Sequence, residues 1–306
     1  MNFVKNRKFA YIFACAVVAL GIIFYFVNGV NLSITFTGGT ELSYAVEQQV
    51  EDTNVIKDEI KSALNKTADV VTASSIGADN EKQESIVVRV GSAEALSPEE
   101  SKKVDDIVAK YATVQMDKSE KLSIDANIGS EALRNALLAI VFALALIILY
   151  IAIRFKQISG WSAGLITTLT IAFDAFVVLA FYVIFKIEIN ESFIAAILTI
   201  IGYSINDKIV IFDRIRENSL GRKKVPFEEI VEGSIKQSLT RTINTSITSL
   251  ISVVVVLIAS LYFNIPAITE FALPMCIGLV FGCASSMFIA APMFAAYKSK
   301  HAKDRK

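Results

Sequence analysis

Cysteine, histidine and proline are scarce in this chain of 306 residues, with 3, 1 and 5 copies respectively. The cysteines, Cys15, Cys276 and Cys283, lie inside apolar runs and lack metal-ligand spacing. They read as small buried hydrophobes, which argues against both a zinc site and a disulfide framework. The one histidine, His301, falls in the basic tail, and neither H-E-x-x-H nor G-x-S-x-G occurs. The two hydrolase chemistries those motifs carry are therefore excluded. Neither sign of charge is in excess, with 30 basic and 30 acidic residues, so composition makes no case for a nucleic-acid partner. No fixed-period repeat and no low-complexity segment is visible. The expectation is a protein that is not an enzyme, with no cofactor and no metal.

Apolar sequence is what the chain has in quantity: 54% of residues are hydrophobic and the mean hydropathy is +0.53. It is gathered in runs close to the ~20 residues that a helix needs to cross a bilayer. Six runs qualify: 9–27, 132–153, 161–185, the stretch opening at Phe193, 242–263 and 271–297. The first follows a short basic start (Lys5, Arg7, Lys8), as a signal peptide would. It is too long for such an h-region and no small-x-small site follows, so an uncleaved anchor is expected.

Between the first two runs lies one polar insert, residues 28–130. Alternation at Leu42, Tyr44 and Val46 predicts a strand over 40–46, and helical spacing predicts a helix over 53–65. Strands are expected at 70–76, 85–91 and 113–125. Ser97-Pro98-Glu99-Glu100 is a capping box with proline at the first helical position, opening a helix to about Ala112. The order is βαββαβ, the split or ferredoxin-like arrangement. The fold class is thus a polytopic α-helical membrane protein with six transmembrane helices and a ferredoxin-like domain between the first two. Its parts are 1–27, 28–130, 131–297 with a loop at 213–240, and a basic tail at 298–306.

Basic residues set the orientation. Lys5, Arg7 and Lys8, then Arg154 and Lys156, the cluster from Arg214 to Lys224, and the tail fall on one side; the opposite short loops carry Lys186 and little else. The positive-inside rule puts both termini in the cytoplasm and residues 28–130 outside. Within 214–240, Phe227, Ile230, Val231 and Ile235 recur at helical spacing after Pro226, which predicts an interfacial helix on the membrane surface.

The fourth run carries the strongest functional signal. Asn206, Asp207 and Lys208 interrupt an apolar helix that resumes at Ile209 and ends at Asp213, Arg214 and Arg216. A carboxylate at that depth costs about 2.5–3.5 kcal/mol on insertion scales, so it points to a site. Arg241 opens the next span, and its long side chain can reach inward. Desolvation raises an aspartate pKa and a nearby arginine lowers it. Moving the arginine toward and away from Asp207 would load and release a proton, with a static helix-pinning salt bridge as the alternative. Asn206, Thr242, Asn244, Thr245 and Ser246 surround the pair, and either bond across helices or hold a water chain. Gly202 is expected to let a neighbouring helix approach, and Lys208 to snorkel toward the cytoplasmic interface. Asp174 lies in the third run as a further polar group. An intramembrane aspartyl protease would need a second aspartate in Gly-x-Gly-Asp context, and neither AFDAF nor YSINDK supplies it. Gly38 and Gly39 form a turn before the first strand and a candidate hinge for the insert.

Four segments together resemble one family: FTGGT after the first span, GYSINDKIVIFDRIREN in the fourth, RTINTS at the fifth and GLVFGCASSMFIAAP in the sixth. The chain is similar along its length to the SecD/SecF family of protein-export membrane proteins, on its SecF side. The resemblance implies a resistance-nodulation-division type scaffold in the bacterial cytoplasmic membrane, paired with SecD. It implies assistance to preprotein translocation through the SecYEG channel, driven by protons, with YajC and YidC as further partners. By motif, Asp207 and Arg241 match the family's proton-relay residues. Thr35 stands where the family often has aspartate, and Phe173 where it often has histidine before the third-span aspartate. The alternative function is half of a proton-driven exporter of small molecules or lipids on the same scaffold. A structural scaffold without ion flux is a third class.

Overall fold

The computed structural model describes residues 2–46, 53–76, 82–91, 96–221 and 225–303. Arg222, Lys223 and Lys224 of the basic cluster lie outside the described residues, as does the end of the tail. Among the described residues, six helices are long and apolar enough to cross a membrane. They are α1 (Arg7–Asn28), α5 (Ala126–Arg154), α6 (Gly160–Ile184), α7 (Glu191–Gly221), α8 (Phe227–Tyr262) and a sixth that opens as α9 (Pro266–Ser285). They sort into two layers. The most apolar windows of α6, α7 and the sixth span are 56%, 44% and 50% buried, against 6%, 11% and 6% for α1, α5 and α8. Two of the inner three, α6 and α7, hold the buried charges Asp174, Asp207 and Lys208; the outer three present many Leu, Ile, Val and Phe outward, as lipid-facing surfaces do.

The ends at Arg154, Gly160, Gly221 and Phe227 gather at one end of the bundle, and the folded insert sits at the other. It holds α2 (Ile34–Thr37), β1 (Gly39–Val46), α3 (Thr53–Leu64), β2 (Thr67–Ile76), β3 (Lys82–Gly91), α4 (Pro98–Tyr111) and β4 (Val114–Ile124). The sheet is antiparallel with order β2-β3-β1-β4. One face packs on α3 and α4 through Leu42, Tyr44, Ile56, Val88, Val104 and others. The capping box forms as its spacing predicts: Glu100 N donates to Ser97 Oγ at 3.2 Å and Ser97 N to Glu100 Oε2 at 3.0 Å.

The structure alters several sequence expectations. α5 begins at Ala126, before the expected domain end, because Asp125 caps it through Asn127 N at 2.7 Å. The described part of 213–240, expected as a loop, is mostly helix: α7 runs on to Gly221, and α8 passes without a break from Phe227 through Arg241. Hydropathy falls at that point, but the helical period does not. Val231 and Ile235 are fully buried against the cluster that contains Phe212 and Phe294. The helix expected to lie along the surface is the first third of the fifth span. The sixth span changes pitch: a π-helical turn at Ser286–Ala290 separates α9 from α10 (Ala291–Lys303). Pro292 has no N–H for the carbonyl four residues before it, and the wide turn takes up that mismatch. The expected tail therefore begins as helix.

Candidate functional site

Asp207 sits on α7, 8% exposed, and Ser246 of α8 donates to its Oδ2 at 3.1 Å. Tyr203, Asn206, Thr245 and Ser249 line the same crevice, which α9 closes with Gly278 and Gly282. The crevice is narrow because those glycines let α9 approach α7: a Cβ on Gly278 would stand 2.4 Å from Ile200 Cδ1. Gly202, by contrast, has nothing within 4 Å of where its Cβ would be, so it is not the close-contact glycine of α7.

Arg241 is exposed on α8, and among the described residues it makes no ion pair. Ser246, five residues further along the same helix, takes the place at Asp207 that the sequence suggested for it. Five residues are about 7.5 Å of rise, within the span of a long side chain. Thr242 is buried with no partner for its Oγ1 among the described residues, Asn244 is exposed, and Asn206 lines the crevice from the exposed side of α7.

Asp174 belongs to a different cluster. Lys208 Nζ donates to its Oδ2 at 2.9 Å, and both side chains are 0% exposed. The ammonium also donates to Ser204 Oγ at 2.6 Å and to Ser285 Oγ at 3.1 Å, with Ser286 Oγ at 3.4 Å. Ser204 in turn donates to Asp174 Oδ2. Lys208 therefore does not snorkel outward. One residue is about 100° of helix, enough to turn Lys208 from the Asp207 crevice into the bundle centre. There a carboxylate on α6 needs a cation, and three hydroxyls need a donor. The two serines stand where α9 gives way to the π turn, a kind of irregularity common at functional sites. A readable signal existed: Ser204 and Lys208 are spaced i,i+4 in an apolar helix, and Asp174 is the lone acid inside the preceding span. Ser204 touches both clusters, lining the crevice and bonding Asp174.

Gly38 and Gly39 have positive φ of 80° and 149°. They are also tightly packed: a Cβ on Gly38 would lie 2.5 Å from Ala126 Cα, and one on Gly39 would lie 2.4 Å from the Val90 carbonyl. Rotation about this pair requires those contacts to open.

Six apolar helices, a folded insert after the first of them and buried charge in the inner layer define a multi-pass membrane protein with charged groups inside its spans. Residues 103–300 match the family described as "Protein export membrane protein SecD/SecF, C-terminal". The SecF protein translocase subunit of Sebaldella termitidis is 32% identical over 298 residues, covering 96% of this chain and 90% of that protein. SecDF of Bacillus subtilis is 34% identical over 309 residues, and there the chain spans only 39% of the relative. A crystal structure of SecDF from Thermus thermophilus, described as translocon-associated, has a TM-score of 0.78 at 30% identity. It covers 97% of this chain and 38% of that one. The chain belongs to the SecD/SecF family of protein-export membrane proteins, and is a multi-pass protein of the bacterial inner membrane.

Proposed function

We propose that this chain is a SecF-like translocase subunit that uses the proton-motive force, with Asp207 as the proton-carrying group. The observation that carries the reading is a carboxylate inside a span, set in a crevice between α7, α8 and α9 and hydrogen-bonded to the neighbouring span. An intramembrane ionisable group of this kind is expensive and marks an ion pathway. Arg241 acts as the moving cation, reaching Asp207 in one state of the cycle and lying exposed in the other. Thr242, Asn206 and Asn244 supply polar groups along the way.

SecD is the first partner, with the SecYEG channel and the exported chain beyond it, and YajC and YidC as further contacts. Support for a partner bundle comes from α8, which turns Asn244 and Thr245 outward, whereas Thr248 and Ser252 beside them donate to carbonyls of their own helix. Amides and hydroxyls do not face hydrocarbon without cost. The insert is read as ferredoxin-like and extracytoplasmic. Its strand order supports the first part, and the basic residues at the far end of the bundle support the second. Gly38 and Gly39 are its pivot in this reading, once their packing opens.

The test is Asp207→Asn, which keeps size and polarity and removes the titration. The variant is expected to insert and assemble with SecD, and to lose the proton-gradient-dependent part of preprotein export in vesicles. Full export would reject the carrier role.

A further inference from the structure

The insert is joined to the bundle by more than its two chain connections. Both connections, at Gly38–Gly39 and at Asp125, enter at one end of the sheet, where Gly39 pairs with both Gly91 and Ile124. A swing of the insert is therefore about that end, once the packing at Gly38 and Gly39 opens. Arg89 stands beside it, on the sheet face away from α3 and α4. Its Nε donates to Glu41 Oε2 at 2.8 Å on the neighbouring strand. Its Nη1 crosses to the bundle, to Glu188 at 3.2 Å in the turn between α6 and α7, and lies 3.9 Å from Glu270 on α9. Asn190 donates to Glu270 and holds it in place. The Arg89 side chain is 16% exposed and that of Glu188 15%, so this pairing is screened from water better than most surface ion pairs.

We propose that Arg89 is the coupling residue between the sheet domain and the membrane bundle, a lock on the swing that the glycine connection permits. The carboxylates it grips belong to the α6–α7 turn and to α9. α9 also closes the Asp207 crevice through Gly278 and Gly282. A shift of α9 at the crevice is therefore carried along the helix, past Pro274, to the position of Arg89, and a domain movement is carried back. The mechanical role rests on the proton-driven reading above; the lock itself does not.

The electrostatics fit a lock rather than an incidental contact. Burial opposes the charge on Arg89, and Glu41, Glu188 and Glu270 more than offset it, raising the guanidinium pKa. One guanidinium serves three carboxylates, however. Loss of water outweighs the share of Arg89 that Glu188 receives, and its pKa is held above the usual carboxylate range. The grip is thus strong on the cation and incomplete on Glu188.

The experiment measures docking directly, without export or a proton gradient. Nitroxide labels go on Asp58→Cys in α3 and Tyr262→Cys at the end of α8, in the full chain with Cys15, Cys276 and Cys283 replaced. The parent should give one narrow distance distribution. Arg89→Gln should broaden it and add a longer-distance population, with the sheet intact by circular dichroism. Glu188→Ala with Glu270→Ala, which leaves every sheet residue in place, should do the same. The exchange Arg89→Glu with Glu188→Arg should restore much of the narrow peak. Distributions that match the parent in both the Arg89→Gln and the paired glutamate variants would overturn the proposal. Changed docking with export fully retained would count against the translocation reading and leave the lock standing.

Discussion

At the scale of single residues, the chain separates two acids that look alike in sequence. Asp207 faces a crevice and a hydroxyl, whereas Asp174 faces a fully buried ammonium. Removing one partner from a buried ion pair typically costs about 3–5 kcal/mol, because the other is left charged and unpaired. Lys208→Met is expected to destabilise the chain by about that amount. Adding Asp174→Asn to it should recover most of the loss, since Asn leaves no buried charge. Thermal unfolding in detergent reads both, and a Lys208→Met variant as stable as the parent would mean that Asp174 finds another counter-charge. Arg241 asks for a different measurement, because the structure holds it away from Asp207. If the two meet during the cycle, the Asp207 carboxyl stretch in infrared difference spectra should titrate differently in Arg241→Met, with Asp207→Asn as the blank. Superimposed curves would remove Arg241 from the proposed relay.

Among the elements, the glycines of α9 set how close the inner helices lie, and so how narrow the crevice is. Gly278→Ala places a methyl 2.4 Å from Ile200 Cδ1, and overpacking of this kind costs about 1–3 kcal/mol. Gly202→Ala meets nothing within 4 Å and removes a flexible residue from a helix interior, a gain of up to about 1 kcal/mol. The two variants should therefore move the melting temperature in opposite directions. The same sign for both would show that the α7–α9 contact is looser than the geometry implies. α8 gives a second lesson at this scale. Its 36 residues run from a polar, packed start at Phe227 to an apolar end at Tyr262. The change of composition near Arg241 marks a change of surroundings and not a change of backbone.

For the whole molecule, the question is which way the bundle is threaded. Basic residues cluster at the end opposite the sheet domain, which supports a cytoplasmic location for that end. A cysteine at Asp58, exposed on α3, should react with an impermeant thiol reagent added to the outside of intact cells, with Cys15, Cys276 and Cys283 replaced. Labelling that appears only after permeabilisation would invert the molecule. The site of attachment of the sheet domain matters as much as its side. Ser33 N donates to the Ile189 carbonyl at 2.9 Å, and Ile189 N to Asn31 O at 2.8 Å. The segment after α1 is thereby fastened to the α6–α7 turn next to the Arg89 cluster.

Much of this was legible without coordinates, because it depends on patterns local in the chain. The number of spans follows from the length of apolar runs, the insert's element order from alternation and capping, and the prominence of Asp207 from a charge inside a span. The family motifs are likewise continuous stretches. The structure decided everything that depends on which face of one helix meets which face of another. Periodicity put Lys208 about 100° from Asp207 but could not say what lay in that direction; only the packing of α6 and α9 against α7 supplies Asp174, Ser285 and Ser286. Arg89 lies on the open sheet face, and the bundle acids that hold it come from residues 188 and 270, distant in sequence, where no local pattern reaches. A charge read alone in sequence is assigned to water by default, because water is its cheapest partner. Tertiary structure overrides that default where a bundle or an interface brings a counter-charge into reach and excludes the water.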